Sequence, residues 1–470
     1  MTTPGKSSTT LVADLSARIG ADAILTDGVS IDARRHDYWV RSHLLRRLGQ
    51  LGEPPVCVVR ARHTADVSAA LSVASAHGIA VVPFGAGSGV CGGVLPSAAS
   101  IVLDLSAMDR VLEINETALT VAVQAGKRGD AFEQELQARG YSMGNFPQSI
   151  ALSTVGGWVA TRASGQHSTR YGSMEDMLIG FEAVLASGEI VRLRPAPRRS
   201  TGPDLCGLLL GSEGTLAVLT TLDLRIHPLP EHTRGAAYEF ADMRSGLDAI
   251  RRVMRAGWRP AVLRLYDEVE SARHFAAHVG GGGCLLLVLC EGPRSGVEAE
   301  AAAIAELGTR GGGAPRGEAP VTEWLAHRNE VPSWNRLFDQ GIIADTLEVT
   351  APWDRADRVY GDVTAALRRV PGLVLASAHS SHSYQQGTCL YVTLVLRPES
   401  LAAGDALYER CWDTAMEATL AAGGAISHHH GIGRVRRRWL REELGSAYAL
   451  LPTLKAALDP KGILNPGVLL

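Results

Sequence analysis

Short apolar stretches alternate with amphipathic stretches through the first half of the chain, which is typical of strands alternating with helices. Residues 56–59 predict a strand, and Thr64 can cap the helix that follows it. The apolar stripe of that helix is formed by Val67, Ala70, Leu71 and Ala74. Further strands are predicted at 79–82, 101–105, 111–114 and 119–124, with a helix near 128–139. Residues 181–185 and 190–193 predict a hairpin that turns at Ser187 and Gly188.

The second half reads as a separate α+β unit. The proline-rich segment 227–230 follows a predicted strand at 216–226 and marks a boundary. Beyond it we expect helices near 245–255 and 406–421 and strands at 261–265, 284–289, 346–349 and 391–396. The glycine-rich segment 308–317 is the best candidate for a disordered insert, and the last forty residues look helical and charged up to Asp459. The expected division is 1–230, 231–425 and 426–470, since 470 residues exceed what one core usually organises.

Composition narrows the classes of protein that the chain can belong to. Apolar residues make up 46% and charged residues 20%, as in a folded soluble protein, and the net charge of -3 gives no general attraction to nucleic acid or anionic membranes. Residues 1–10 read as a loose tail rather than a signal peptide, and the longest apolar run, 284–290, is too short for a transmembrane segment. Seven scattered cysteines without a Cys-x-x-Cys favour a reducing compartment and argue against a thiolate zinc site. We therefore expect a cytoplasmic protein whose oligomeric state stays open, a homodimer among the alternatives.

A glycine-rich loop at residues 83–93 carries the first chemical signal. Five glycines in eleven residues follow an apolar strand, so the backbone can turn sharply and direct its N–H groups at an anion. No Gly-Lys-Ser/Thr follows, and the loop leads into a second strand rather than a helix, which excludes Walker and Rossmann loops. A pyrophosphate site between strands favours FAD, whereas the alternative is an ordinary surface turn. The candidate cofactor residues are Pro83, Gly85, Ala86, Gly87, Ser88, Gly89, Gly92 and Gly93.

Two segments that follow the glycine-rich loop along the chain, 144–172 and 210–216, are rich in small residues and hydroxyl groups. Such segments can lie flat against an aromatic ring system, with Ser153, Thr154 and Thr161 as hydrogen-bond donors. They complete the predicted cofactor set with Pro147, Ser153, Thr154, Gly156, Gly157, Thr161, Ser164, Gly165, Glu213, Gly214, Thr215 and Val218.

This order of segments resembles the FAD domain of the vanillyl-alcohol-oxidase/p-cresol-methylhydroxylase-type (PCMH-type) flavoenzymes. The resemblance implies an α+β fold with a two-part FAD-binding domain, an α+β substrate (cap) domain and a C-terminal segment that returns to the flavin. Many members tether FAD through a histidine beside the glycine loop. No histidine lies between His77 and His167, so the resemblance implies noncovalent FAD.

In the C-terminal half, segments 260–265, 351–355, 383–391, 423–433 and 459–460 carry a second resemblance. They are similar to the alkyldihydroxyacetonephosphate (alkylglycerone-phosphate) synthases, and with the flavin domain the similarity covers the chain from about residue 50. It implies that the acyl chain of an acyl-dihydroxyacetone phosphate is replaced by an alkyl chain through a flavin N5 adduct, a step of ether lipid synthesis with a lipid-like substrate. It also implies that Tyr384 donates and accepts a proton, and that His428, His429, His430 and Arg264 are needed for activity.

The residue chemistry agrees in part with these roles. A tyrosine is a weak acid that suits a buried site beside a flavin, although Tyr384 can also be an ordinary half-buried strand residue. If the histidine segment is extended, His428 and His430 face one side and His429 the other, which favours acid–base work or anion binding over a shared metal. A partly exposed polar turn is the alternative. For the substrate anion, Arg328 and Arg336 compete, while the basic run at 434–441 reads as a solvated helix face.

Two other functions are consistent with a flavin site. The flavin-dependent 2-hydroxyacid dehydrogenases share the FAD domain, and His379 begins a stretch like their histidine motif. Cys389 and Tyr391 occupy the region of its second histidine, and His429 replaces a glutamate, which favours the synthase-like group. A catalytically idle FAD-binding protein is the third hypothesis, and it leaves Tyr384 and the histidine triplet unexplained.

Overall fold

The computed structural model describes residues 6–470. The strands of the first half are β1 (Ile24–Leu25), β2 (Val58–Arg60), β3 (Ala80–Phe84), β4 (Ser100–Asp104), β5 (Val111–Asn115), β6 (Thr120–Gln124), β7 (Tyr141–Ser142), β8 (Leu178–Val184), β9 (Ile190–Leu193), β10 (Val218–Arg225) and β11 (His227–Pro228). The strands of the second half are β12 (His232–Phe240), β13 (Val262–Tyr266), β14 (Cys284–Gly292), β15 (Ala314–Gly317), β16 (Ile343–Pro352), β17 (Leu373–Ser383) and β18 (Gly387–Leu396).

Helices connect these strands and cover the sheets. Those before β10 are α1 (Lys6–Ile19), α2 (Gly28–Asp32), α3 (Val40–Arg47), α4 (Thr64–His77), α5 (Gly129–Gln137), α6 (Val155–Thr161), α7 (Ser168–Tyr171), α8 (Met174–Met177) and α9 (Leu205–Leu209). Those after β12 are α10 (Met243–Arg255), α11 (Glu268–His274), α12 (Arg294–Arg310), α13 (Ala319–His327), α14 (Trp334–Phe338), α15 (Ala356–Arg368), α16 (Leu401–Ala422), α17 (Leu440–Leu444) and α18 (Leu450–Leu458). Short 3-10 helices occur at Ala21–Ala23, Arg437–Trp439 and Gly445–Ala449.

The first half is built on two main sheets. One has the order β1-β2-β4-β3, with β4 parallel to both β2 and β3. The other has the order β5-β6-β10-β8-β9 and is antiparallel, and it contains the predicted hairpin as β8 and β9. The predicted stripe on α4 is buried, but the helix begins one residue early, because His63 is the N-cap and Thr64 is its first helical residue.

The N-terminal tail is a correction to the sequence analysis. Residues 1–5 lie outside the described residues, but Lys6 to Thr10 form the start of helix α1. Leu11, Leu15 and Ile19 lie on one face of α1 and are buried in the same core as α4. The Ser/Thr-rich start is therefore held as helix by the packing of the residues that follow it.

The second half is built on one antiparallel sheet in the order β15-β12-β14-β13-β17-β18-β16. The segment expected to be disordered, 308–317, is ordered: α12 runs to Arg310 and Ala314–Gly317 is the edge strand beside β12. The glycines turn the chain between them, and the N–H of Gly313 donates to the carbonyl of Gly308 at 2.9 Å. The three glycines are thus a tight connection rather than an insert.

The two halves are joined at both ends of the chain. Trp39, Val40 and Leu44, ahead of the first predicted strand, pack in the core beneath the seven-stranded sheet. At the other end Leu464 bridges Val81 of β3, and Asn465 Nδ2 donates to two backbone carbonyls of the first half, at 3.0 and 2.8 Å. No helix among residues 6–470 is long and apolar enough to cross a membrane. The division at residues 230 and 425 stays a prediction.

Candidate active site

One cavity of about 1050 Å³ lies between the two halves of the molecule. The glycine-rich loop, segment 147–164 and segment 212–219 line one side, and the inner face of the seven-stranded sheet lines the other. Of the twenty predicted cofactor residues, seventeen line this cavity; the exceptions are Gly92, Gly165 and Thr215. Those three support the wall from behind: a Cβ on Gly92 would meet the Trp39 ring, a Cβ on Gly165 would meet the backbone of Phe146, and Thr215 Oγ1 donates to the carbonyl of Ser212 at 2.7 Å.

Direct contacts join the predicted cofactor segments. A Cβ on Gly85 would overlap Thr154 Oγ1, so the loop and the start of α6 approach as closely as glycine permits. Thr154 is the N-cap of α6, and its hydroxyl accepts from the N–H of Gly157 at 3.3 Å. Gly87 has a φ of +67°, which turns the loop after β3.

Glu213 ties the cofactor segments to the C-terminal segment. Its carboxylate accepts the N–H of Ile432 at 2.7 Å and that of Gly433 at 2.9 Å. Burial raises the pKa of Glu213 to about 7, against the lowering effect of these hydrogen bonds and of Arg436. Glu213, predicted to contact the cofactor, thus also fixes the segment that carries the histidine triplet. This link arises from the fold and has no local sequence pattern.

The backbone of the triplet is held by Glu348, a residue of β16 that the sequence analysis missed. Glu348 Oε1 accepts the N–H groups of His428, His429 and His430 at 3.1, 3.0 and 2.9 Å. Its Oε2 lies 3.0 Å from His430 Nδ1 and also pairs with the Arg436 guanidinium. Arg436, expected on a solvated helix face, is instead fully buried and precedes helix α17. Three N–H groups on one oxygen require a curved backbone, so the triplet is not extended, and the alternating arrangement of an extended segment does not apply.

Because the segment curves, the side chains of the triplet meet instead of alternating. Nδ1 of His428 lies 2.9 Å from Nδ1 of His429, and Nε2 of His428 lies 2.7 Å from the hydroxyl of Tyr384. Burial raises the pKa of Tyr384, so the phenol keeps its proton. Tyr384, His428 and His429 thus form a chain of two hydrogen bonds. His429 and His430 line the cavity, whereas Tyr384 and His428 lie behind them.

His382 of β17 completes a group of three imidazoles with His428 and His429. One ring nitrogen from each lies within 4.8 Å of the others, and these side chains could hold a metal ion. His382 is fully buried, and its Nδ1 lies 2.6 Å from the hydroxyl of Ser168. Burial, followed by the charges of His428 and Arg264, holds the pKa of His382 well below its usual range, so the imidazole is neutral.

The three arginines named in the sequence analysis occupy different places. Arg264 and Arg328 line the cavity, and both guanidinium groups lie near the ring of Trp324, at 5.9 and 5.6 Å from its centroid. Arg328 donates to Gln166 Oε1 at 2.8 Å, and burial lowers its pKa. Within residues 6–470 neither side chain forms an ion pair with a carboxylate. Arg336 is exposed on α14 and does not line the cavity.

Comparison with known proteins assigns the family. Residues 55–194 match the family described as "FAD binding domain", and residues 229–469 match "FAD linked oxidases, C-terminal domain". The chain is 33% identical to the uncharacterized FAD-linked oxidoreductase YgcU of Escherichia coli (strain K12), over 98% of each protein.

This chain belongs to the FAD-linked oxidase family. It is also 29% identical to the alkyldihydroxyacetonephosphate synthase of Caenorhabditis elegans, over 92% of this chain and 78% of that protein. A solved alkyldihydroxyacetonephosphate synthase structure superposes with a TM-score of 0.82 at 23% identity, covering 99% of this chain and 86% of that one. The predicted two-part α+β fold for FAD binding is therefore confirmed, and the protein is an FAD-dependent enzyme.

The geometry of this FAD-linked oxidase fits the cofactor. The loop backbone at Gly85 and Gly87 lines the cavity, as a diphosphate site requires, and a Cβ at either position would press on Thr154 or Phe84, so glycine lets the backbone lie there. Beyond it, Gly156, Gly157 and Thr161 line the same wall and leave room for a flat ring system. The ring side of the cofactor would then face the inner side of the seven-stranded sheet and the histidines.

Proposed function

We propose that the protein catalyses a synthase-type exchange, in which the acyl chain of an acyl-dihydroxyacetone phosphate is replaced by the alkyl chain of a fatty alcohol. The observation that carries the proposal is that one cavity joins the predicted FAD-binding segments to a hydrogen-bonded Tyr384–His428–His429 chain and to two arginines that form no close ion pair with a carboxylate of residues 6–470. The relatives named alkyldihydroxyacetonephosphate synthase support it. The exchange would place the protein in ether lipid synthesis.

The arginines support an anionic substrate. Arg264 and Arg328 line the cavity, and within residues 6–470 neither guanidinium forms a close ion pair with a carboxylate, so an anion can complete their coordination. A guanidinium binds phosphate through paired N–H donors. Of the two residues that competed as phosphate ligands in the sequence, the geometry favours Arg328 over the exposed Arg336.

An apolar stretch of the same cavity supports a lipid-like substrate. It is formed by α14, the segment before it and the ends of β16 and β18, and its lining includes Tyr38, Val331, Trp334, Leu337, Ala344 and Val395. Hydrocarbon removed from water against such a surface gains about 0.8 kcal/mol per methylene group. A small hydroxy acid such as lactate would leave this surface unused.

The residues of the chain supply proton transfer and charge. FAD, when bound, supplies an electron-accepting ring for the carbon chemistry. His429 faces the cavity and is hydrogen-bonded to His428, which is hydrogen-bonded to Tyr384, so a proton can move between the cavity and Tyr384 along two hydrogen bonds. Arg264 and Arg328 hold the phosphate and the departing carboxylate.

Attachment of FAD without a covalent bond is part of the proposal, since no histidine lies between His77 and His167. Acid precipitation should release the flavin to the supernatant, and flavin in the pellet would contradict this. The function itself is tested by anaerobic incubation of the FAD-loaded protein with acyl-dihydroxyacetone phosphate plus a fatty alcohol, and separately with D-lactate or glycolate. Fatty acid release with the first pair supports the synthase, and flavin bleaching by a hydroxy acid would instead indicate a dehydrogenase.

A further inference from the structure

A second histidine site lines the cavity, separate from the triplet. His379 of β17 and Glu270 of α11 both line the cavity and are almost fully buried, with His379 Nδ1 2.8 Å from Glu270 Oε2. Thr393 Oγ1 and Ser377 Oγ donate to the other carboxylate oxygen at 2.9 and 3.2 Å. The carboxylate is thus fully engaged and holds the imidazole by Nδ1, which leaves Nε2 for a group in the cavity.

The position of this pair follows from the register of the sheet. Tyr266, His379, Tyr391 and Glu348 are direct neighbours across β13, β17, β18 and β16, so they form one row on the sheet. Glu348 at one end of this row holds the triplet, whereas Glu270 approaches His379 from the neighbouring helix. The row therefore places two carboxylate–histidine arrangements on one cavity wall, at different positions along it.

The apolar stretch begins next to the Glu270–His379 pair. Along β18, Thr393 contacts Glu270, and Val395, two residues further on the same face, belongs to the apolar lining. Val395 pairs with Ala344 of β16, which also lines that stretch. A hydrocarbon chain lying over Val395 and Ala344 would bring its polar head to Thr393 and His379.

We propose that His379, held by Glu270, is a catalytic residue that takes the proton from the hydroxyl of the incoming fatty alcohol. This inference rests on the proposed synthase function. In the step, the O–H bond of the alcohol breaks and its proton moves to Nε2 of His379. The oxygen electron pair forms the new C–O bond to the substrate carbon, and the acyl oxygen leaves that carbon with its electron pair as a carboxylate. No net oxidation occurs, and the proton on His379 passes to solvent or to the carboxylate.

The resting pair is a neutral imidazole beside an ionised carboxylate. Burial, together with Arg264, lowers the pKa of His379 to about 4 against the opposing effect of Glu270, so the imidazole is neutral and can accept a proton. Burial acts to raise the pKa of Glu270, but its contacts with His379 and Thr393 and the charge of Arg264 bring it to about 2. The ionised carboxylate fixes the tautomer with hydrogen on Nδ1 and stabilises the imidazolium that forms.

The test compares two alcohols in FAD-loaded variants. A 2,2-difluoroalkanol is a stronger acid than the parent alkanol of the same length, so it depends less on a base. His379→Asn should lose at least ~100-fold in ether formation with the parent alkanol and should recover most of that loss with the difluoroalkanol. Glu270→Gln, which keeps the shape of the partner, should show the same pattern to a smaller degree. His77→Asn, from a histidine–carboxylate pair on the surface, should match the parent enzyme with both alcohols.

Flavin content and thermal unfolding midpoints, measured on each variant, identify any variant that is merely misfolded. An equal loss with both alcohols, or no loss, in a folded His379→Asn enzyme would overturn the role of His379 while the proposed function stands. If the parent enzyme forms no ether with either alcohol, the proposed function fails and this inference fails with it.

Discussion

At the scale of single residues, Tyr384 lies behind the cavity wall and contacts it through its hydrogen bond to His428. We expect Tyr384→Phe to lower turnover by at least ~100-fold, the usual effect of losing a positioned acid–base group. Phenylalanine keeps the aromatic ring and lacks only the hydroxyl group that binds His428. FAD should stay bound, since Tyr384 does not line the cofactor segments. Tyr141→Phe, a partly buried tyrosine outside the cavity, is the control. Near-full activity of Tyr384→Phe would mean that Tyr384 has only a structural role directly after β17.

The two competing arginines are separated by a pair of matched variants. Arg328→Lys keeps the charge but removes the planar set of donors, so we expect KM for the phosphorylated substrate to rise at least ~10-fold, the usual order for one charge-assisted hydrogen bond. Arg336→Lys should leave KM unchanged, because Arg336 is exposed and outside the cavity. Steady-state kinetics with the acyl substrate varied would check both. A rise for Arg336→Lys alone would reverse the assignment.

At the scale of elements, Glu348 joins strand β16 to the segment that carries the triplet. Glu348→Ala leaves Arg436 buried without its partner and frees three backbone N–H groups, so the unfolding free energy should fall by about 3–5 kcal/mol. Glu409→Ala removes an exposed partner of Arg41 and should cost at most about 1 kcal/mol. Chemical denaturation of both variants measures the difference. A loss for Glu348→Ala no larger than that for Glu409→Ala would mean that the triplet is held by other contacts.

The elements also show what the sequence could predict. The stripe on α4 and the β8–β9 hairpin follow from local periodicity, and the structure confirms both. Strand β17 was not predicted, because Ala, Ser and His dominate it and have little strand preference of their own. The strand forms because β13 pairs with it on one side and β18 on the other, and its His379, Ser381 and His382 line the cavity. His379 and Glu270 could not be paired in advance for the same reason.

At the scale of the whole molecule, Glu213 links the halves and makes their association sensitive to pH. Its pKa rises from 4.5 to about 7 in the folded protein because of burial. Between those values the native state holds a proton that the unfolded chain has lost, so stability falls as pH rises through this window. Glutamine does not titrate, so the unfolding free energy of Glu213→Gln should rise relative to that of the parent by about 3 kcal/mol as the pH goes from 4.5 to 7.

Denaturation of the FAD-loaded parent and of Glu213→Gln at pH 4.5 and pH 7 checks this prediction. Glu409→Gln, which alters an exposed carboxylate, should track the parent at both values. A stability difference between Glu213→Gln and the parent that does not change with pH would show that Glu213 titrates normally.

Each predicted cofactor segment is local in sequence, and seventeen of the twenty predicted residues line the cavity, while their contact with FAD stays a prediction. The wall that carries the histidines was less predictable, since Glu348, Glu270 and His382 join it through strand register and helix packing between distant parts of the chain. The curved triplet has the same origin, because its shape is set by Glu348, about eighty residues earlier.

The central claim, a redox-neutral exchange of an acyl for an alkyl chain in this cavity, is tested most directly by the fate of oxygen. The FAD-loaded protein is incubated anaerobically with acyl-dihydroxyacetone phosphate and a fatty alcohol labelled with ¹⁸O in its hydroxyl group. The masses of the products are then measured by mass spectrometry. The account predicts that the label appears in the ether product and is absent from the released fatty acid, with the flavin oxidised at the end. Label in the fatty acid, or no labelled ether while the same protein is bleached by D-lactate or glycolate, would contradict it.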